Sequence, residues 1–236
     1  MMRRCSWIAP YLTLITLTCC VFSPTISRQV KGHSTWEEHW LAGTICRPPC
    51  WEGITPGKTT GEEALSLLRS NALFAGITQD SKSHGGTILW SLVESSSKSY
   101  TGGVAFYGAI TNPVSYISTL VSHEVTISDI VSVYGMPNFI ETASYGMREG
   151  EISHEGHTAD LLFLQYGYAA TLKTIGQKKP EISPETQIIK LRFFDPSASQ
   201  SKVYSDLGIK PTRVNTWDGY KSFDYYCAKL ATKTCF

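Results

Sequence analysis

This sequence has almost no excess of basic over acidic residues, and it lacks the motifs that mark common catalytic folds. Lys and Arg number 21 against 20 Asp and Glu, a formal net charge of +1, and charged residues make up only 17% of the 236. A chain that grips nucleic acid normally concentrates a basic excess on one face, so nucleic acid is not an expected partner. There is no Gly-x-Ser-x-Gly elbow for a hydrolase nucleophile, and no Gly-x-x-x-x-Gly-Lys loop or Gly-x-Gly-x-x-Gly turn to cradle phosphates. The nearest approach is Gly53-Ile-Thr-Pro-Gly57-Lys58, where Pro56 lacks the backbone N–H that an anion-binding nest needs. That stretch reads as a turn feeding a helix. No catalytic residue is assigned and no cofactor is expected. Long apolar runs are missing too: the run over residues 8–22 falls short of the roughly 20 apolar residues of a membrane-spanning helix and contains Pro10.

What is present is an ordinary globular composition, 42% hydrophobic and 11% aromatic, with 19 Gly and 11 Pro. It excludes a disordered, collagen-like or coiled-coil chain, and the length allows one large domain or two small ones. Arg3 and Arg4 precede the apolar run, the layout of a secretory signal. Residues 1–27 are therefore expected to be a signal peptide or a signal anchor that engages the membrane. Thr25 and Ser27 suit the pocket positions of a signal peptidase, an uncleaved anchor is the alternative, and Cys19 or Cys20 offers a lipidation site. A buried N-terminal helix of a cytosolic protein is the remaining reading. Residues 28–45 read as a polar tether, with Trp36, Trp40 and Leu41 as its large apolar points.

Four of the seven cysteines lie beyond the signal, as two close pairs: Cys46 with Cys50, and Cys227 with Cys235. An even number in near pairs suits disulfides in an oxidising compartment. Four cysteines allow three connectivities; the local pairs Cys46–Cys50 and Cys227–Cys235 are favoured because Pro48 and Pro49 bend the first loop back on itself. The spacing is poor for zinc knuckles, and Cys-Arg-Pro-Pro-Cys is one residue longer than a thioredoxin-like redox motif.

The chain then matches itself. Thr60-Gly-Glu-Glu-Ala-Leu-Ser-Leu-Leu68 aligns with Thr126-Ile-Ser-Asp-Ile-Val-Ser-Val-Tyr134, each a Thr followed three residues later by an acid. That is a capping-box signature at a helix start. Ile127, Ile130, Val131 and Tyr134 follow helical spacing, and Gly135 with Pro137 stops the second helix. Strands are expected over 87–93, 104–110 and 116–121 after the first helix, with a hairpin loop at 94–103. After the second they are expected over 139–145, 161–166, 169–175 and 188–194, with a tight turn at Gly167 and a loop at 177–186. The fold class is thus α+β: two tandem helix-plus-antiparallel-sheet repeats, 46–122 and 123–200, after the signal and tether. Residues 201–236 are expected as an aromatic C-terminal segment packed on the domain.

The string Cys46-Arg-Pro-Pro-Cys-Trp-Glu-Gly-Ile-Thr-Pro-Gly-Lys-Thr-Thr60, with Gly135-Met136-Pro137 and Tyr166-Gly167 further on, resembles a group of uncharacterised bacterial exported proteins. The resemblance touches residues 46–175 and implies export but no activity. At the level of fold, the Thr-capped helix followed by a strand meander is similar to the small modules of β-lactamase-inhibitor-like envelope lipoproteins, which implies a role in binding proteins.

Two residue groups stand out chemically. His154-Glu-Gly-His157 with Asp160 is the candidate metal set, because a helix would bring His154, His157 and Asp160 to one side; as 150–156 reads as a loop, the competing account is a hairpin loop. His33, His39, His84 and His123 are scattered and read as surface residues. The aromatics Trp217, Tyr220, Phe223, Tyr225, Tyr226 and Phe236 read as a strand or flap packed on the sheet, or as a carbohydrate or peptide platform. The expectation is an exported or membrane-anchored binding module whose partner is an envelope protein or surface polymer. A secreted hydrolase with an unrecognised site and a sugar-binding module are the alternatives.

Overall fold

Thr60 and Thr126 open their helices in the same way. The Thr60 hydroxyl accepts from the Glu63 N–H at 3.2 Å and the Glu63 carboxylate accepts from the Thr60 N–H at 2.8 Å. Thr126 and Asp129 repeat the pair at 3.3 and 2.9 Å. Each exchange satisfies donors that a helix start leaves free. It begins α2 (Gly61–Ser70) and α3 (Ile127–Tyr134), where the sequence predicts them. The computed structural model describes residues 35–82, 85–93, 102–149, 152–174, 180–230 and 235, with the side chains of 81–82 and 145–155 excepted, all within the unit Ser34–Phe236. The expected signal or anchor, with Cys5, Cys19 and Cys20, lies outside the described residues. So do residues 94–101 of the expected hairpin loop.

A third capping box corrects the tether. The Thr35 hydroxyl accepts from the Glu38 N–H and starts α1 (Trp36–Ala42), inside the span read as a polar connector. Trp36 and Trp40, one helical turn apart, are 1% and 3% exposed and belong to the main core. Trp36 meets Trp51 edge-on at 5.9 Å, and Trp51 stacks on Trp90 at 5.0 Å. Trp40 meets Tyr168 and Phe193 edge-on, and its carbonyl accepts from the Tyr134 hydroxyl at 2.5 Å. The burial that makes this helix stable also pushes the Tyr134 phenol up to about 12. Two large rings on one helical stripe outweigh the polar residues between them.

All strands join one antiparallel sheet. Its members are β1 (Phe74–Lys82), β2 (Gly85–Leu92), β3 (Gly102–Tyr107), β4 (Val114–Thr126), β5 (Phe139–Glu149), β6 (Ile152–Phe163), β7 (Tyr168–Leu172), β8 (Gln187–Phe194) and β9 (Val214–Thr216). Their order is β1-β2-β3-β4-β8-β7-β6-β5-β9. The α+β class is as expected, with nine strands and five α-helices among the described residues. Consecutive strands pair as hairpins within β1–β4 and within β5–β8, and β4 meets β8 where the two runs join. The segment 150–156, read as a loop, is instead strand from Ile152 onward, because its backbone pairs residue for residue with β5 out to Glu149↔Ile152. The turn at Gly167 is as predicted: φ is +72°, and an added side chain would meet the Phe194 carbonyl at 2.5 Å.

The C-terminal segment is a correction in kind. Its expected strand or flap is α4 (Gln200–Leu207), the short edge strand β9, and α5 (Phe223–Lys229). Ser199 and Ser222 cap the two helices. Both favoured disulfides are present: Cys46–Cys50 with Cα atoms 5.7 Å apart, and Cys227–Cys235 at 5.3 Å. Two bridges fit an oxidising, extracytoplasmic compartment. Among the described residues no helix is long and apolar enough to cross a membrane.

Candidate functional site

Strand alternation gives the sheet two unlike faces. Ile88, Trp90, Ala105, Tyr107, Ile117, Leu161, Phe163, Tyr168, Leu191 and Phe193 point to the face covered by α1, α2, α3 and α5 and form the main core. The residues between them point the other way. Where β6 and β8 end and β7 begins, Leu162, Ala169 and Phe194 are roofed by Val203, Tyr204 and Leu207 of α4 and by Ile209. Away from α4 the described residues form no buried apolar cluster on this second face. Leu89 and Leu120 are 45% and 36% exposed there, and Val104, Phe106, Tyr116 and Ser118 are half-buried. Phe106 and Tyr116, paired across β3 and β4, stack with centroids 4.2 Å apart.

Beside this apolar area runs a charged row. The ladder sets Leu120 of β4 opposite Lys190 of β8, Lys190 opposite Thr171 of β7, Thr171 opposite Asp160 of β6, and Asp160 opposite Glu141 of β5. Arg192, two residues along β8 on the same face, is 7% exposed. Its Nη1 donates to the Leu207 carbonyl at 2.7 Å, which ties α4 to the sheet. Its Nη2 lies 2.8 Å from Asp160 Oδ1, an ion-pair contact without hydrogen-bond geometry, and its Nε has no partner. Thr171 donates its hydroxyl proton to the same Asp160 oxygen. Glu141 accepts from the Lys210 N–H at 3.0 Å. Burial raises the Glu141 carboxyl above its ordinary 4.5, with the Lys210 N–H and the Arg192 and Arg213 charges pulling it back. Burial lowers the Lys190 ammonium below its ordinary 10.5; Arg192 adds to that shift and Asp160 opposes it. Lys190 makes no side-chain hydrogen bond or ion pair among the described residues.

The predicted metal set is spread by the strand it occupies. His157 and Asp160 are three residues apart on β6, so alternation sends them to opposite faces, whereas a helix would have gathered them. His157 turns to the core side, sharing a hydrogen bond with Ser144 at 3.0 Å and packing on Phe223 at 4.8 Å. Asp160 is held by Arg192 and Thr171 on the other. His154 lies opposite Met147 on β5, and its side chain is outside the described residues. Among the described residues no three His, Cys, Asp or Glu side chains approach closely enough to hold a metal ion. The phosphate-loop lookalike also fails chemically: Gly57 lies against the Asp195 carboxylate, which would repel an anion.

The described C-terminal aromatics pack on the domain and on one another: Phe223 and Tyr226 are buried in the main core, and Trp217, Tyr220 and Tyr225 lie against it. Trp217 stacks on the buried Tyr226 at 5.8 Å, and Tyr220 meets Trp217 edge-on at 5.7 Å. The Tyr226 hydroxyl donates to the Gly219 carbonyl at 2.6 Å. Tyr225 donates to Asp218, which also pairs with Lys229 at 2.8 Å. The second-face residues Phe106, Tyr116, Leu120, Lys190 and Arg192 were not singled out by sequence reasoning. The available signal was the alternation Ile189-Lys190-Leu191-Arg192-Phe193, which places two cations on one side of a buried strand. No known family model, curated protein or solved structure matches this chain.

Proposed function

We propose that this chain is an exported, non-enzymatic binding protein of the cell envelope, and that it holds a protein partner on the open part of the second sheet face. The observation that carries the reading is that face itself. Leu89 on β2 and Leu120 on β4 stand exposed on either side of the strand that carries Phe106, whose ring stacks on Tyr116 at the edge of the α4-covered cluster, and no buried apolar cluster among the described residues covers the two leucines. An apolar area next to a charged row, on a sheet braced from behind by α1, α2, α3 and α5, has the anatomy of a protein contact surface. The two disulfides and the basic, apolar start of the sequence support export. The same start supports retention at the membrane, as signal anchor or lipidated chain. The resemblance of the Cys46–Thr60 string to bacterial exported proteins points the same way.

The sheet is read as two copies of one unit. Each begins with a Thr-capped helix followed by four antiparallel strands, α2 with β1–β4 and α3 with β5–β8, and the copies meet through their last strands. That doubling supplies a sheet wide enough to hold a partner, since a standard protein interface needs roughly 800 Å² from each side.

The test is native electrophoresis of gently solubilised envelopes from cells making wild-type chain or the double variant Phe106→Asp, Leu120→Asp. The wild type is expected in a complex larger than the chain alone, and the variant, equally abundant, as free chain. Identical migration of the two overturns the reading.

A further inference from the structure

Within the charged row, Lys190 has no hydrogen-bonded or ion-paired side-chain partner among the described residues; the Asp160 charge that acts on it is already held by others. Asp160 is engaged by Arg192 and by the Thr171 hydroxyl. Glu141 is engaged by the Lys210 N–H and faces the Arg213 charge. Lys190 is half-buried, flanked by Leu120 and Thr171 across the ladder, and makes no side-chain hydrogen bond or ion pair among the described residues. It sits on β8, next to the seam with β4 at the middle of the nine-stranded order. A half-buried ammonium without a direct ion-pair partner is costly, and such a group within a contact surface is where a partner's opposite charge gains most. The Leu120 side chain beside it would exclude water from a pair formed there.

We infer that Lys190 is the anchor of the open face, and that the partner is a protein segment presenting a single Asp or Glu side chain flanked by apolar residues. This rests on the reading of the open face as a binding surface, and adds the chemistry of what it receives. The carboxylate meets the Lys190 ammonium on its exposed Leu120 side, away from the Asp160 carboxylate that Thr171 already holds, while its apolar neighbours lie on Leu120 and toward the Phe106–Tyr116 stack. A cationic or purely apolar segment leaves Lys190 buried and unpaired, so the site rejects it.

The probe is the peptide Ac-Leu-Glu-Leu-NH2 against its twin Ac-Leu-Gln-Leu-NH2, titrated into the disulfide-intact protein while backbone amide resonances are followed. The Glu peptide is expected to shift Leu120, Thr171 and Lys190 and to bind about tenfold more tightly than the Gln twin, in line with a charge-assisted hydrogen bond. Lys190→Met should erase the difference and Lys190→Arg should keep it. Unchanged amide dispersion elsewhere in each variant shows that the fold is intact. Equal shifts from both peptides overturn the inference while leaving the open face as a binding surface. No shift on this face from either peptide overturns it as well, and the electrophoretic comparison then judges the broader reading alone. Inorganic phosphate reproducing the Glu-peptide shifts also overturns it, since the site would then be a general anion site.

Discussion

Glu52 shows how a single buried side chain ties stability to pH. Its carboxylate accepts from Asn71 at 2.8 Å and lies 3.9 Å from His39 Nδ1. Burial raises its pKa above the ordinary 4.5; the Asn71 bond and the His39 charge pull it down, and the Glu37 charge pushes it up again. A raised folded-state pKa means that the native state holds the proton more tightly than the unfolded chain. Its contribution to stability is full below about 4.5 and is lost as pH rises through the folded-state value. Glu52→Gln keeps an oxygen for Asn71 and removes the titration. Urea midpoints measured across the mildly acidic range are expected to fall with rising pH more steeply in the wild type than in the variant. Parallel curves would show that Glu52 ionises without penalty. The candidate site was hardest to read at this scale. Lys190 and Arg192 are two cations in an apolar strand, and their meaning depends on which residues the ladder sets beside them. Asp160 was noticed in the sequence, but as a metal ligand; only β6 shows that it faces away from His157 and toward Arg192.

At the scale of elements, local signals served where they were self-contained. The Thr60 and Thr126 boxes use the same donor and acceptor atoms, so Thr60→Ala and Thr126→Ala are each expected to cost about 1 kcal/mol. Urea unfolding followed by tryptophan fluorescence checks this, and a loss of only a few tenths for either would mean that packing alone holds that helix. The two caps and the Gly167 turn were legible because their residues lie within a few positions of one another. The α1 helix was equally marked, by Thr35, Glu38 and the Trp36/Trp40 spacing, yet its polar surroundings masked it. β6 from Ile152 was not legible at all, since its pairing with β5 is long-range and overrides a polar, glycine-bearing stretch. The C-terminal helices are short and capped by serines, and their aromatics favour strand on propensity alone.

At the scale of the whole molecule, α1 draws both halves of the sheet toward one covered face: Trp36 packs with Trp51, and Trp40 with Tyr168 and Phe193. Glu37 reaches across to accept from the Ser122 N–H and hydroxyl, each at 2.7 Å, at the irregular stretch of β4. The consequence is a sheet stiffened from one side and open on part of the other. The α+β class and the paired cysteines were visible in composition and spacing, while the continuity of the sheet depended on the β4–β8 junction, which local sequence does not encode. The most direct test places a photoreactive side chain at Leu120 on the open face or at Ser132 on the solvent side of α3, and irradiates intact cells. A partner held on the open face predicts a discrete adduct from position 120 that is absent from position 132 and is lost when Phe106→Asp is added. Adducts from position 132 alone, or equally from both positions, would contradict it.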